Sequence, residues 1–184
     1  MGVDGILEGR VIGIGSGGRL RGSGIAITRD GVVVIDGGSV APGVVQLGGT
    51  QRAAAAAHQV GTLTIQGNLT VSETGVITLH VLGGTADLQD RLVVSGTAAL
   101  HGPIALNFSN GYAPKQGDQL VLIQAAAVTG APQAVSITGL APGFDSELNV
   151  VGGTLTLVAL NDGVATTQAL AQSVFLPLVQ RPQW

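Results

Sequence analysis

Apolar and polar residues alternate with a period of two along most of the chain. The stretches "GIAIT", "GVVVID", "GTLTIQGNLTV", "GVITLHV", "RLVVSGTAAL", "PIALNF", "QLVLI", "AVSIT" and "ELNVVGGTLTLVAL" all carry aliphatic residues at alternate positions. That is the pattern of a strand with one face buried, and it predicts strands of roughly four to seven residues. Gly, Asn-Gly, Asp-Gly and Pro-Gly turns separate them, at intervals of about 8 to 12 residues. Three stretches (61–71, 90–100 and 148–160) repeat one unit: a strand, a glycine-bearing turn and a second strand. Self-similarity of this kind predicts stacked rungs, with Val, Ile and Leu in inward ladders and small residues at the corners. The expected fold is all-β, a single β-solenoid over residues 1–160 with six or seven rungs in a rod of about 30 Å.

Two segments break the alternation. "TQRAAAAAHQ" (50–59) has helix propensity but is short for a helix standing alone, so 44–60 is expected to be a loop insertion with one or two helical turns. Residues 161–184 form a C-terminal tail with a short helix expected across Thr166–Ser173, which Pro177 would stop.

The stretch "VIGIGSGGRL" imitates a dinucleotide fingerprint. Gly13-x-Gly15-x-x-Gly18 follows β-branched residues, and Asp36 stands about 20 positions on, where an acid would hold a ribose. Such a site needs a helix after the third glycine, whose N-terminus holds the pyrophosphate. Here Gly22 and Gly24 occupy that place and Ile25, Ile27 and Thr28 alternate as a strand. No cofactor is expected, and the glycines read as turn residues.

Composition sharpens the picture. Apolar residues make up 45% of 184 residues, enough for a core, yet only 3% are aromatic and thirty are glycine. Charged residues are 10%, with a formal charge of −3 and a single lysine, Lys115, which argues against nucleic acid or an anionic membrane surface as partner. No apolar run reaches the roughly 20 residues of a membrane-spanning helix, and no signal peptide is visible at Met1. The absence of cysteine excludes disulfides and thiolate metal sites.

The order of motifs carries a resemblance. "LRGSGIAI", "GVVVIDGGSVAPG" and "GTLTIQGNLTV" are followed by "QDRLVVSGTAALHGPIALNF" and "GYAPKQGDQLVLIQAAAVTG". From Leu20 to Leu160 this resembles the C-terminal passenger region of autotransporter-type bacterial surface proteins, a right-handed parallel β-helix. The chain departs from that pattern where Val44–Val60 intervenes between "APG" and "GTLT". The 24 residues after Leu160 are too few for the eight strands of even the smallest outer-membrane barrel. The resemblance implies a non-enzymatic structural or adhesive segment, extracellular or on the bacterial cell surface. Other surface proteins or glycans are its expected partners. An open N-terminal end would make the chain a fragment of a longer array that self-associates there.

Parallel β-helices also host polysaccharide lyases and glycosidases, so a glycan-cleaving enzyme is the alternative, with a carbohydrate-binding module as a third class. Cleavage needs acidic residues converging on one face. The nearest group is Asp87, Asp90 and Arg91, but Asp90 fits a turn acid whose carboxylate accepts backbone N–H groups, as do Asp36 and Asp118. Asp145 and Glu147 are too few for calcium. His58, His80 and His101 share no metal-ligand spacing and read as structural or solvent-facing. No catalytic, cofactor-binding or metal residue is therefore expected. A binding module would need aromatic platforms, and Phe108, Tyr112, Phe144, Phe175 and Trp184 are few.

Overall fold

Alternating aliphatic residues and frequent glycines divide the described residues into fourteen strands and one short 3-10 turn. These are seen in a computed structural model that describes residues 2–45 and 58–166. In chain order the first strands are Ile6–Ile14 (β1), Arg19–Gly22 (β2), Ile25–Ile35 (β3), Ser39–Pro42 (β4) and Val44–Val45 (β5). His58–Gln59 (β6), Thr62–Val71 (β7), Val76–Val81 (β8), Arg91–Leu100 (β9) and Ile104–Phe108 (β10) follow. The last are Gln119–Gly130 (β11), Val135–Thr138 (β12), Ser146–Val151 (β13) and Thr154–Ala159 (β14).

The fold is all-β with parallel sheets. A seven-stranded sheet runs β1-β3-β7-β9-β11-β14-β13 and a five-stranded sheet runs β12-β10-β8-β4-β2. Every pairing from β1 through β11 in the larger sheet is parallel, as is every pairing in the smaller. From β1 to β4 and again from β7 to β12, successive strands alternate between the two sheets.

Register converts the period-two pattern into ladders. Ile12, Val33, Leu69, Ala98 and Val128 stand in one row across β1, β3, β7, β9 and β11. Ile14, Ile35, Val71 and Leu100 form the next. Leu20, Val40, Ile77 and Ile104 line the smaller sheet in the same manner. The buried members of these rows join a single core cluster. One-residue slippage would turn a whole row to solvent, so burial fixes the register.

The long strands differ from the expected four to seven residues, because several predicted glycine turns are bends inside one strand. β7 and β9 run unbroken for 10 residues each through "IQGNL" and "VSGTA". Gly67, at φ 141°, provides the bend, and a side chain there would strike Thr28 in the neighbouring strand β3. The ladder bonds resume on both sides, so the strand continues. In the third copy of the repeat, two successive positive-φ residues, Gly152 and Gly153, close a two-residue hairpin. There β14 pairs antiparallel with both β13 and β11.

The false fingerprint resolves in the same terms. Gly13 lies inside β1, the Gly18 N–H closes a turn on the Gly15 carbonyl at 2.8 Å, and β2 starts at the next residue. Asp36 accepts the hydroxyls of Ser72 and Thr74, each at 2.8 Å, which hold its carboxyl below the usual aspartate range. The insertion begins and ends as the two-residue antiparallel pair β5–β6. Its alanine run, and the helix expected across Thr166–Ser173 apart from Thr166, lie outside the described residues.

Leu69 is fully buried in its row and Thr70 beside it faces outward. Leu69→Ala is expected to cost about 2–5 kcal/mol, and Thr70→Ala less than about 1 kcal/mol. Urea denaturation of both variants checks this, and equal losses would contradict the assigned faces.

Candidate functional site: a buried aspartate beneath a basic groove

Asp90 immediately precedes β9, and its side chain is fully buried. Register places Arg91 opposite Thr62, which sets Asp90 next to the Gly61 backbone. The Gly61 N–H donates to Oδ1 at 2.9 Å. From the other side, the backbone N–H of His80 donates to Oδ2 at 2.9 Å. Two imidazoles complete the set, His58 through Nε2 at 2.9 Å and His80 through Nδ1 at 3.0 Å, both on Oδ2.

Burial alone would raise the Asp90 pKa, but the hydrogen bonds from His58, His80 and Gly61 outweigh it and hold the carboxyl below its ordinary value. An ionised carboxylate only accepts, so both facing imidazole nitrogens carry hydrogen. The rings stack with centroids 3.5 Å apart and planes 22° apart. The other ring nitrogen of His58, Nδ1, is buried and makes no hydrogen bond. The result is a clasp joining β6, β8, the residue before β7 and the residue before β9.

Gly43 is the close approach that the clasp requires. It takes φ 79°, and an added Cβ would lie 2.6 Å from Asp90 Oδ1 and 2.7 Å from His58 Nε2.

Beside the clasp, a groove of about 450 Å³ crosses the outer face of the five-stranded sheet. Alternation explains its lining: Leu20, Val40, Ile77, Leu79 and Leu106 point inward, so their strand neighbours point out. Arg19 and Arg21 come from β2, Ser39 from β4, Thr78 and His80 from β8, and Asn107 from β10. His58 also reaches the groove. The Asn107 carbonyl accepts the Thr138 hydroxyl at 2.6 Å, which leaves its NH₂ as a donor.

The donor atoms of His58, His80 and Asp90 lie within 4.8 Å of one another, so these three are the residues that could hold a metal. An ion at about 2.0–2.1 Å from each nitrogen needs both lone pairs aimed at it. As built, both nitrogens are directed at Asp90 Oδ2 and the three residues form a hydrogen-bonded clasp.

The other sequence candidates are dispersed. Asp87 is exposed on the Ala86–Leu88 turn, and the Arg91 guanidinium donates to Gln124, so Asp87, Asp90 and Arg91 do not converge. His101 is exposed in the turn after β9. Asp118 accepts the Lys115 N–H within its own turn. Asp145 accepts the Ser146 N–H, while Glu147 accepts the Asn149 amide. Sequence spacing missed the His58–His80 pair and the groove. The available signal for the groove was Arg19-Leu20-Arg21, two cations at strand spacing around a core leucine.

Neither protein-family models nor curated proteins give a match to this chain.

Asp90→Ala would leave several buried N–H donors without an acceptor and is expected to cost about 3–5 kcal/mol. Because the folded pKa of Asp90 is lowered, its contribution is complete above the unfolded value of about 3.9 and is lost as pH falls through the folded one. Denaturant melts between about pH 2 and 5 should therefore show a steeper acid loss in wild type than in Asp90→Ala; parallel curves would contradict this. Gly43→Ala is expected to cost roughly 2–4 kcal/mol through backbone strain and displacement of His58. Thermal melts and the His58 ring resonances report it, and unchanged values would place Gly43 outside the clasp.

Proposed function

We infer that the chain is a β-solenoid, a right-handed parallel β-helix, serving as a non-enzymatic structural or adhesive segment of a secreted or cell-surface bacterial protein. The observation that carries the reading is the stacking of inward aliphatic rows across β1, β3, β7, β9 and β11, with successive strands alternating between two parallel sheets. A right-handed hand follows from the general preference of parallel crossovers. The motif order from Leu20 to Leu160 and its likeness to autotransporter passengers support the location. Among the described strands β1 is at one edge of the larger sheet and exposes Ile6 and Val11, which suits packing against a further rung or a second copy.

Protease shaving and antibody labelling of intact cells making the natural protein test the location. Surface signal is expected, and protection until lysis would overturn the reading. The enzyme alternative is tested on pectin-like polymers, where no reducing ends or unsaturated products are expected to appear above a buffer control. Release of either product would replace the structural reading with a catalytic one.

A further inference from the structure

The groove on the outer face of the five-stranded sheet differs in character from the rest of the chain. The whole protein has eight Lys and Arg, three His and a formal charge of −3. Yet Arg19 and Arg21 both line this one depression beside the imidazoles of His58 and His80, and no Asp or Glu is among its lining residues. Asp90 is fully buried and turned to its N–H donors, so it does not line the groove. The groove is a local cationic site on an acidic chain.

Its remaining chemistry is hydroxyl and amide. Ser39 and Thr78 can each donate and accept, and Asn107 keeps its NH₂ as a donor because Thr138 holds its carbonyl. The largest aliphatic residue in the lining is Val76, so no apolar anchor pocket is present for a peptide side chain. The floor is a sheet face, and strand addition takes place at a sheet edge, so a peptide lying on this face adds no strand. An anionic sugar fits these features better: the Arg21 guanidinium takes its acid group, and the hydroxyl and amide groups take its ring hydroxyls.

We propose that the groove binds an acidic saccharide, a carboxylate- or sulfate-bearing sugar unit, with Arg21 as the principal anion contact and Asn107 as a hydroxyl contact. This names a ligand class for the adhesive reading and rests on that reading only for where the ligand is met. Arg19 and Arg21 stand two residues apart on β2, about 7 Å along the strand. They face a row of donors on β4, β8 and β10.

The test is calorimetric titration of the purified chain with a uronate oligosaccharide, its sulfated counterpart, a neutral oligosaccharide of the same length and polyglutamate. Saturable binding of at least one acidic saccharide is expected, at least tenfold tighter than the neutral one and weakening as salt rises. The uronate and sulfate arms identify which acid group is read. Arg21→Ala should weaken binding at least tenfold and Asn107→Ala severalfold, while Arg10→Ala, outside the groove, should leave it unchanged. Arg21→Gln serves as the second variant should Arg21→Ala fold poorly, as judged by circular dichroism. Equal binding of neutral and acidic saccharides, binding of polyglutamate alone, indifference to both Arg21 variants, or no binding at all would each overturn the proposal. Any of these outcomes leaves the surface-segment reading standing, because cell labelling tests that separately.

Discussion

Parallel register is the constraint from which the rest of the structure follows. A residue on β7 can bury its side chain only if its neighbours on β3 and β9 bury theirs at the same level. Leu69 therefore commits Val33 and Ala98 to the interior. The rows accept residues from alanine to leucine and isoleucine, and their floors are strands about 4.8 Å apart. Large rings fit such rows poorly. Of the aromatics, Phe108 is buried at the end of β10 and packs near Tyr112 and Phe144, where regular stacking stops. Low aromatic content and abundant glycine are thus two results of one geometry: narrow shelves inside and backbone crowding at the corners.

The same register builds the clasp. Asp90 is buried because the strand that follows it is locked to β7, and it is ionised because the adjoining backbone and two imidazoles donate to it. A buried carboxylate without those donors would be costly. Fixing it draws His58, which borders the insertion, against His80 of β8. The groove then lies over a surface that cannot easily shift, since its floor is a core-backed sheet.

Sequence patterning revealed the strands, the turn at Gly18 and the turn acid Asp118, because each depends on residues near one another in the chain. Asp36 differs: its acceptors meet the side-chain hydroxyls of Ser72 and Thr74, 36 and 38 residues on, instead of the backbone N–H groups of its own turn. Strand length was less legible. "IQGNL" and "VVGGT" both carry glycine between strand-forming residues, but one glycine bends a strand while two successive positive-φ glycines reverse it. The His58–His80–Asp90 grouping was hidden for a different reason. Its members lie 22 and 10 residues apart, separations fixed by loop lengths and the alternation of strands between the two sheets rather than by helix or strand periodicity. Likewise, Arg19 and Arg21 share a face by strand spacing, but only the stacking of β4, β8 and β10 beside them makes that face a groove.

In the larger sheet, the order β1-β3-β7-β9-β11 in space is also the order along the chain. Tension applied between the two ends of this series therefore runs across the sheet, along its inter-strand hydrogen bonds. Load falls on one strand pair at a time instead of shearing all pairs together, so this sheet would lengthen by peeling strand after strand. Each step would release a measured length of chain at modest force, and a segment built this way dissipates pull gradually instead of snapping.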